Sequence, residues 1–270
     1  MLCFPNCKIN IGLYVTRKRA DGYHDIETIF YPVQWRDVLE LIPAQQTRLH
    51  TSGIAVAGND QDNLVWKAYR LMQERFAGAI PGFDIYLHKI IPMGAGLGGG
   101  SADGAFMLRL INDHCKLNLT NDELAALALQ LGSDCPFFIY NTPRFAAGRG
   151  EQMTEVPLDL SAYSIQIVRP HLHISTADAF AMIKPAAAAY DLRQLSRLPI
   201  GEWRANIGND FEQPVFGKYH ELAEIKQQLY DQGAVYASMS GSGSALFGIF
   251  NKDGRAEMKL KIPFDTYYQP

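Results

Sequence analysis

The chain has 270 residues, 47% of them hydrophobic and 20% charged, with a formal net charge of −3. That is enough for one large core or two moderate ones. The charge balance excludes an electrostatic grip on nucleic acid or an anionic membrane, because no dense basic run or tail appears and no stretch approaches the roughly 18 unbroken apolar residues of a membrane helix.

The opening, MLCFPNCKIN, has no basic leader, long apolar region or cleavage site, which makes the cytoplasm the expected compartment. Cys3, Cys7, Cys115 and Cys135 form no CxxC pair and have no histidine at zinc spacing, so reduced, half-buried thiols are expected. CKINIGLYVT (7–16) alternates apolar and polar residues as a strand does, and Lys8 and Asn10 share one of its faces. A lysine at a strand start ordinarily snorkels to the surface. RADGYH (19–24) reads as a loop that sets Tyr23 beside His24, and DVLELIP (37–43) as a second strand. DNLVWKAYRLMQERF (62–76) has helical spacing behind an Asp62 cap, and FDIYLHKII (83–91) alternates as a strand.

That strand runs into Pro92, then into glycines at 94, 96, 98, 99 and 100, then into SADGAFMLRLIND, a helical pattern with Ser101 as its expected N-cap. A bare backbone leading to a helix N-terminus makes a cradle for phosphate oxygens. A Walker loop would need lysine where Gly100 stands. GAGLGG satisfies GxGxxG, but the element after the loop's helix is another helix rather than the strand a dinucleotide fold requires. NLTNDELAALALQLG (118–132) is that helix, with a Thr or Asn cap and a closing glycine. In LGSDCPFF (131–138), Asp134 falls between a helix end and apolar chain, where an isolated Asp is ordinarily a turn or cap residue.

Near 155–165 the pattern resets, and a soft boundary is expected near Pro157. YSIQIVRP (163–170) follows as a strand, with helices near 176–184 and 220–232 and PAAAAY (185–190) as a flexible or weakly helical surface segment. Two strands flank SGSGS (240–244), which suits a glycine hairpin turn and direct ligand contact equally. Adjacent strand pairs beside helix crossovers predict an α+β chain in two lobes.

Three stretches in order carry a family resemblance. PMGAGLGGGS (92–101) resembles the nucleotide loop of the GHMP small-molecule kinases, CKINIGLYVTRKRADGYHDIETIF (7–30) their first motif, and ASMSGSGSALFGIF (237–250) their third. RADGYH and LGSDCPFF are similar to the branch that acts on a cytidine diphosphate derivative. The resemblance implies a ribosomal-protein-S5-like N-terminal lobe (1–156), with the ATP loop and catalytic pair, and a ferredoxin-like C-terminal lobe (157–270). It implies phosphoryl transfer from ATP, with Mg²⁺ bridging the phosphates, to an alcohol on that small molecule; the charge and hydropathy above leave no nucleic-acid or membrane partner expected. No Mg²⁺ ligand and no oligomeric state is assigned.

By the same resemblance, Lys8 and Asp134 are the catalytic pair. Asn63, Leu64, Lys89, Pro92, Gly94, Ala95, Gly96, Leu97, Gly98, Gly99, Gly100 and Ser101 meet ATP. Asn10, Tyr23, His24, Phe30, Thr176, Phe180, Asn209 and Asp210 meet the acceptor. Two positions depart from the pattern. Ala102 stands where relatives carry a second serine, removing a hydroxyl. Gly104 stands at a usual alanine position, weakening the first helical turn by about 1 kcal/mol. Two other readings fit the glycine loop: a GHMP kinase for homoserine, mevalonate or a sugar, and a non-catalytic nucleotide-binding relative, against which the presence of Lys8 and Asp134 counts.

Overall fold

The computed structural model describes residues 1–56 and 58–270. In chain order the first half holds β1 (Leu2–Cys3), β2 (Asn6–Lys18), β3 (His24–Arg36), β4 (Val38–Ala44), β5 (Arg48–Gly53), α1 (Leu64–Arg75), β6 (Gly82–Lys89), α2 (Gly99–Cys115), α3 (Asn121–Leu129) and α4 (Cys135–Tyr140). The second half holds β7 (Arg144–Ala147), β8 (Gln152–Glu155), β9 (Tyr163–Pro170), α5 (Thr176–Ala181), α6 (Ile200–Asn206), α7 (Glu212–Lys218), α8 (His220–Asp231), β10 (Tyr236–Met239), β11 (Leu246–Asn251) and β12 (Phe264–Gln269). The chain is α+β, as expected. It forms two compact units that alternate along the sequence: residues 1–7, 34–93 and 98–142 make the first, and residues 8–33, 94–97 and 143–270 the second.

The first unit is built on a sheet of order β1-β4-β6-β5, with β4 antiparallel and β5 parallel to β6. Leu39 pairs with Leu87 and Leu41 with Ile85, giving one face buried at every second residue, while Ile42 and Tyr86 lie on the exposed face. Helix α1 buries Val65, Ala68, Tyr69 and Met72, the one-sided spacing of an amphipathic helix. Its cap is Asn63, whose side-chain oxygen accepts the Val65 N–H at 2.9 Å, rather than the expected Asp62, which belongs to a preceding 3₁₀ turn. Helix α3 opens with the capping box of Thr120 and Glu123.

The second unit holds a sheet of order β2-β3-β7-β8 and an antiparallel sheet of order β10-β11-β9-β12. Leu13 and Val15 from β2 share a core with Val168 of β9, Phe211, the α8 residues Leu222, Ile225 and Leu229, and Leu246 of β11. The three α8 positions recur at intervals of three and four, so one stripe of that helix faces the core and the rest stays polar.

Several elements depart from the sequence expectation. Strand β5 is almost wholly exposed and β7 and β8 have four residues each, so none carries a readable apolar alternation. Helix α5 stops at Ala181, short of 184, and PAAAAY forms no helix; the Ala186 N–H donates to the Val15 carbonyl at 3.1 Å. Helix α2 starts two residues before Ser101. Its N-cap is Gly98, at φ 71°, a left-handed conformation that glycine adopts without strain. Ser101 therefore lies inside the first turn. The four cysteines are free thiols, with Cys7 and Cys135 buried and Cys3 and Cys115 half-buried.

Candidate functional site

In the first unit, β6 ends at Lys89 and the chain turns toward the glycines. Asp37, fully buried, fixes that turn: its carboxylate accepts the Ile90 N–H at 2.5 Å and the Ile91 N–H at 2.8 Å, and it takes a further hydrogen bond from the Lys89 ammonium. The same ammonium donates to Asp103 on α2 at 2.7 Å. The second Asp103 oxygen is buried and has no hydrogen-bond partner among the described residues. Burial pushes the Asp103 carboxyl up to about 8, against the pull of Lys89 and with the Asp37 carboxylate adding to the rise. The sequence expectation includes neither Asp37 nor Asp103, because the contacts that bury them come from parts of the chain distant in sequence.

Lys89, Asn63, Leu64 and Gly100, all expected at ATP, line one cavity of about 120 Å³ together with Leu87 and Asp103. Asn63 commits its side-chain oxygen to the α1 cap, which leaves its NH₂ as a donor for a ligand. Pro92 is buried below the turn. At the start of α2 the N–H groups of Gly99, Gly100 and Ser101 belong to the first turn, which has no intrahelical acceptor for them. The bare positions differ in purpose. A Cβ on Gly99 would fall 2.9 Å from the Ile91 side chain, whereas one on Gly100 would meet only the flexible end of Met93, at 3.1 Å. A Cβ on Gly104 would come within 3.1 Å of the Leu64 Cβ, so this glycine lets α1 and α2 approach closely, beyond any cost to the helical turn.

The remaining loop residues, 94–97, belong to the second unit. Gly94 and Gly96 have φ of 66° and 79°, and a Cβ on Gly96 would collide with the Ser240 carbonyl oxygen. Ala95 and Leu97 are buried, and their carbonyls accept the Ala245 and Lys8 N–H groups at 3.1 and 2.9 Å. The Ser240 hydroxyl donates to the Gly96 carbonyl at 2.8 Å and accepts the Asn10 N–H at 3.2 Å. SGSGS is thus a turn between β10 and β11, closed by the Ser240 N–H on the Ala245 carbonyl, and also a clamp on the glycine loop.

Lys8 is 4% exposed and does not snorkel. Its ammonium donates to the Asn10 side-chain oxygen at 2.5 Å and stands 4.9 Å from the centre of the Phe30 ring, which is itself buried. The Asn10 NH₂ donates to the Thr28 hydroxyl at 3.0 Å, and Thr28 donates to the Gly12 carbonyl at 2.6 Å, so β2 and β3 hold Asn10 in one orientation. Asp134 belongs to the first unit. It is half-buried at the N-cap position of α4, ahead of Pro136, and its side chain makes no capping hydrogen bond.

Of the aromatic residues expected at the acceptor, His24 stacks on Phe180 at 4.9 Å with 16° between planes, and Phe180 meets Phe211 edge-on at 4.9 Å. Tyr23 is 57% exposed. The Thr176 hydroxyl is 3.2 Å from that of Ser242. Asn209 and Asp210 are braces in this structure. The Asn209 NH₂ donates to the Met239 and Gly241 carbonyls at 2.8 and 2.9 Å, and its oxygen accepts the Phe211 N–H at 2.9 Å. Asp210 accepts the Val15 N–H at 2.7 Å, and burial raises its carboxyl above the usual range.

Among the described residues no group of three His, Cys, Asp or Glu side chains is placed to hold a metal ion, and no helix is long and apolar enough to cross a membrane. The family model for the GHMP kinases N terminal domain matches residues 63–142, and that for the GHMP kinases C terminal matches 188–267. A protein of Parabacteroides distasonis named 4-diphosphocytidyl-2-C-methyl-D-erythritol kinase is 50% identical over 93% of this chain and 92% of its own length. A protein of the same name from Bacteroides thetaiotaomicron is 48% identical over 94% of this chain and 93% of its own. The crystal structure of a 4-(cytidine 5'-diphospho)-2C-methyl-D-erythritol kinase superposes with a TM-score of 0.76 at 31% identity, covering 94% of this chain and 91% of that one.

Proposed function

The chain belongs to the GHMP kinase family, and on that premise we propose that it transfers a phosphoryl group from ATP to the 2-hydroxyl of 4-diphosphocytidyl-2-C-methyl-D-erythritol, a step of non-mevalonate isoprenoid synthesis. It is a phosphotransferase with an alcohol acceptor. Residues 1–156 and 157–270 are its N- and C-terminal kinase domains as segments of sequence, one matched family region falling in each, whereas the compact units interleave across that boundary.

Phosphoryl transfer asks a protein for alignment, a place for the hydroxyl proton and compensation of charge on the moving group. Asp134 takes the hydroxyl proton. Lys8, with its ammonium fixed by Asn10, offsets the developing charge. The first-turn N–H groups of Gly99, Gly100 and Ser101 receive phosphate oxygens, and the cavity at Asn63, Leu64 and Lys89 receives the base. Lys89 is already paired with the Asp37 carboxylate and donates a hydrogen bond to Asp103, so it shapes the cavity wall instead of serving as a loose phosphate ligand. Mg²⁺, when bound, would supply charge neutralisation on the phosphates. On the acceptor side, Tyr23, His24 and Phe180 offer stacking faces and ring nitrogens suited to cytosine. Asn209 and Asp210 serve by bracing β2 and the 239–241 turn.

The observation that carries this reading is the buried Lys8–Asn10–Phe30 group on β2 and β3, the second of which begins at His24 and so also carries one of the aromatic faces. The test is ADP release with the cytidylyl substrate, beside homoserine, mevalonate and a sugar, with cytidine diphosphate as competitor. Turnover with the cytidylyl substrate, inhibited by cytidine diphosphate, is expected. Turnover with another alcohol and indifference to cytidine diphosphate would overturn the assignment.

A further inference from the structure

Arg149 lies on the turn between β7 and β8, and its guanidinium stands over one face of the Tyr23 ring, 4.9 Å from the centroid. The turn is fixed from several sides. Gly148 and Gly150 have φ of 68° and 107°, the Gly148 carbonyl accepts the Ile26 N–H of β3 at 2.7 Å, and the Arg149 N–H donates to the Glu151 carboxylate at 2.6 Å. Tyr23 is also held along its backbone. Its N–H donates to the Asp21 carboxylate at 3.1 Å and its carbonyl accepts the Arg19 N–H at 2.8 Å. Arg19 foremost, and Arg149 further down, hold the Asp21 carboxyl below the usual range, so the guanidinium has a counter-charge on the loop it covers. Tyr23 nevertheless keeps 57% of its surface exposed.

We propose that Arg149 is a positioning residue for acceptor recognition: it backs one face of Tyr23 so that the other face is a fixed plate for the pyrimidine base. This rests on the proposed cytidine acceptor. A planar guanidinium packs flat on a phenol ring and limits its rotation, and a ring already held loses less freedom when a base stacks on it. Arg149 acts through Tyr23 and not on the phosphates.

The experiment compares wild type, Arg149→Leu, Arg149→Lys, Tyr23→Leu and the Tyr23→Leu, Arg149→Leu double variant. Arg149→Leu is expected to raise KM for the cytidylyl substrate about two- to tenfold, with kcat and the KM for ATP little changed. Arg149→Lys, which keeps the charge without the plane, should recover part of the loss. Inhibition by cytidine, cytidine monophosphate and cytidine diphosphate should weaken by one common factor. On the Tyr23→Leu background Arg149→Leu should have no further effect. A loss that grows with the number of phosphates would make Arg149 a phosphate ligand and overturn the proposal. So would an effect that persists undiminished without Tyr23, or no effect in a protein that binds cytidine nucleotides. A wild-type protein that binds no cytidine nucleotide would overturn the acceptor assignment itself.

Discussion

Lys8 illustrates what a single residue reveals. Read by itself, a lysine at a strand start belongs at the surface, and only the family motif points to a catalytic role; in the structure it is buried, with its ammonium held by Asn10 over Phe30. For Asp134 too the local surroundings alone suit a cap, and only the motif points to chemistry. If Asp134 takes the hydroxyl proton, Asp134→Asn keeps the shape and removes the base, and kcat should fall by roughly two to four orders of magnitude while both substrates still bind. If both groups serve one chemical step, Lys8→Met should produce a related loss, and the double variant should be little worse than the more damaged single one. Single-turnover transfer at saturating ATP and acceptor measures this. Near wild-type turnover by Asp134→Asn would remove it from the chemistry. Asp210, the next carboxylate along the acceptor residues, is committed to the Val15 N–H, so its loss should lower stability before it lowers kcat.

Elements show where periodicity succeeds and stops. The passage from β6 through glycines into α2 is legible because alternation, bare chain and helical spacing follow one another. The cap differs from the expected Ser101 because Gly98 enters the left-handed region and starts the helix earlier. Asp37 and Asp103 escape a local reading because the pairing that buries them joins three separate elements. The roles of the glycines are separable by experiment. Gly100→Val places its branches beside the flexible Met93 end and in the cavity shared with Asn63 and Leu64. ATP affinity should drop about tenfold or more while the melting temperature stays close to wild type, a steric cost falling on the ligand and not on the core. Gly99→Val meets the Ile91 side chain instead and should lower the melting temperature. Calorimetric titration of ATP beside thermal melting distinguishes them, and unchanged ATP affinity in a folded Gly100→Val protein would remove Gly100 from the site.

At the scale of the whole molecule, the sequence reads as two lobes in succession, whereas the compact units interleave, a property of long-range contacts that no local pattern records. Global stability should likewise respond to charges that a local reading passes over. The exposed ion pairs at Arg17, Arg19 and Arg193 are in high dielectric and contribute little. The buried group of Asp37, Lys89 and Asp103 has no such screening. Burial pushes the folded Asp103 carboxyl up to about 8, against about 4 in the unfolded chain. Between those values the folded protein holds a proton that the unfolded chain has released. Its stabilising effect is complete below about pH 4 and is lost as pH rises toward 8, by at most about 1.4 kcal/mol per pH unit. Asp103→Asn keeps an acceptor for Lys89 and removes this titration. The melting temperature of wild type relative to Asp103→Asn should therefore fall steadily from about pH 5 to pH 8 and level off above about pH 9. A difference that does not change across that range would mean that Asp103 is already ionised at its acid end, with Lys89 outweighing its burial.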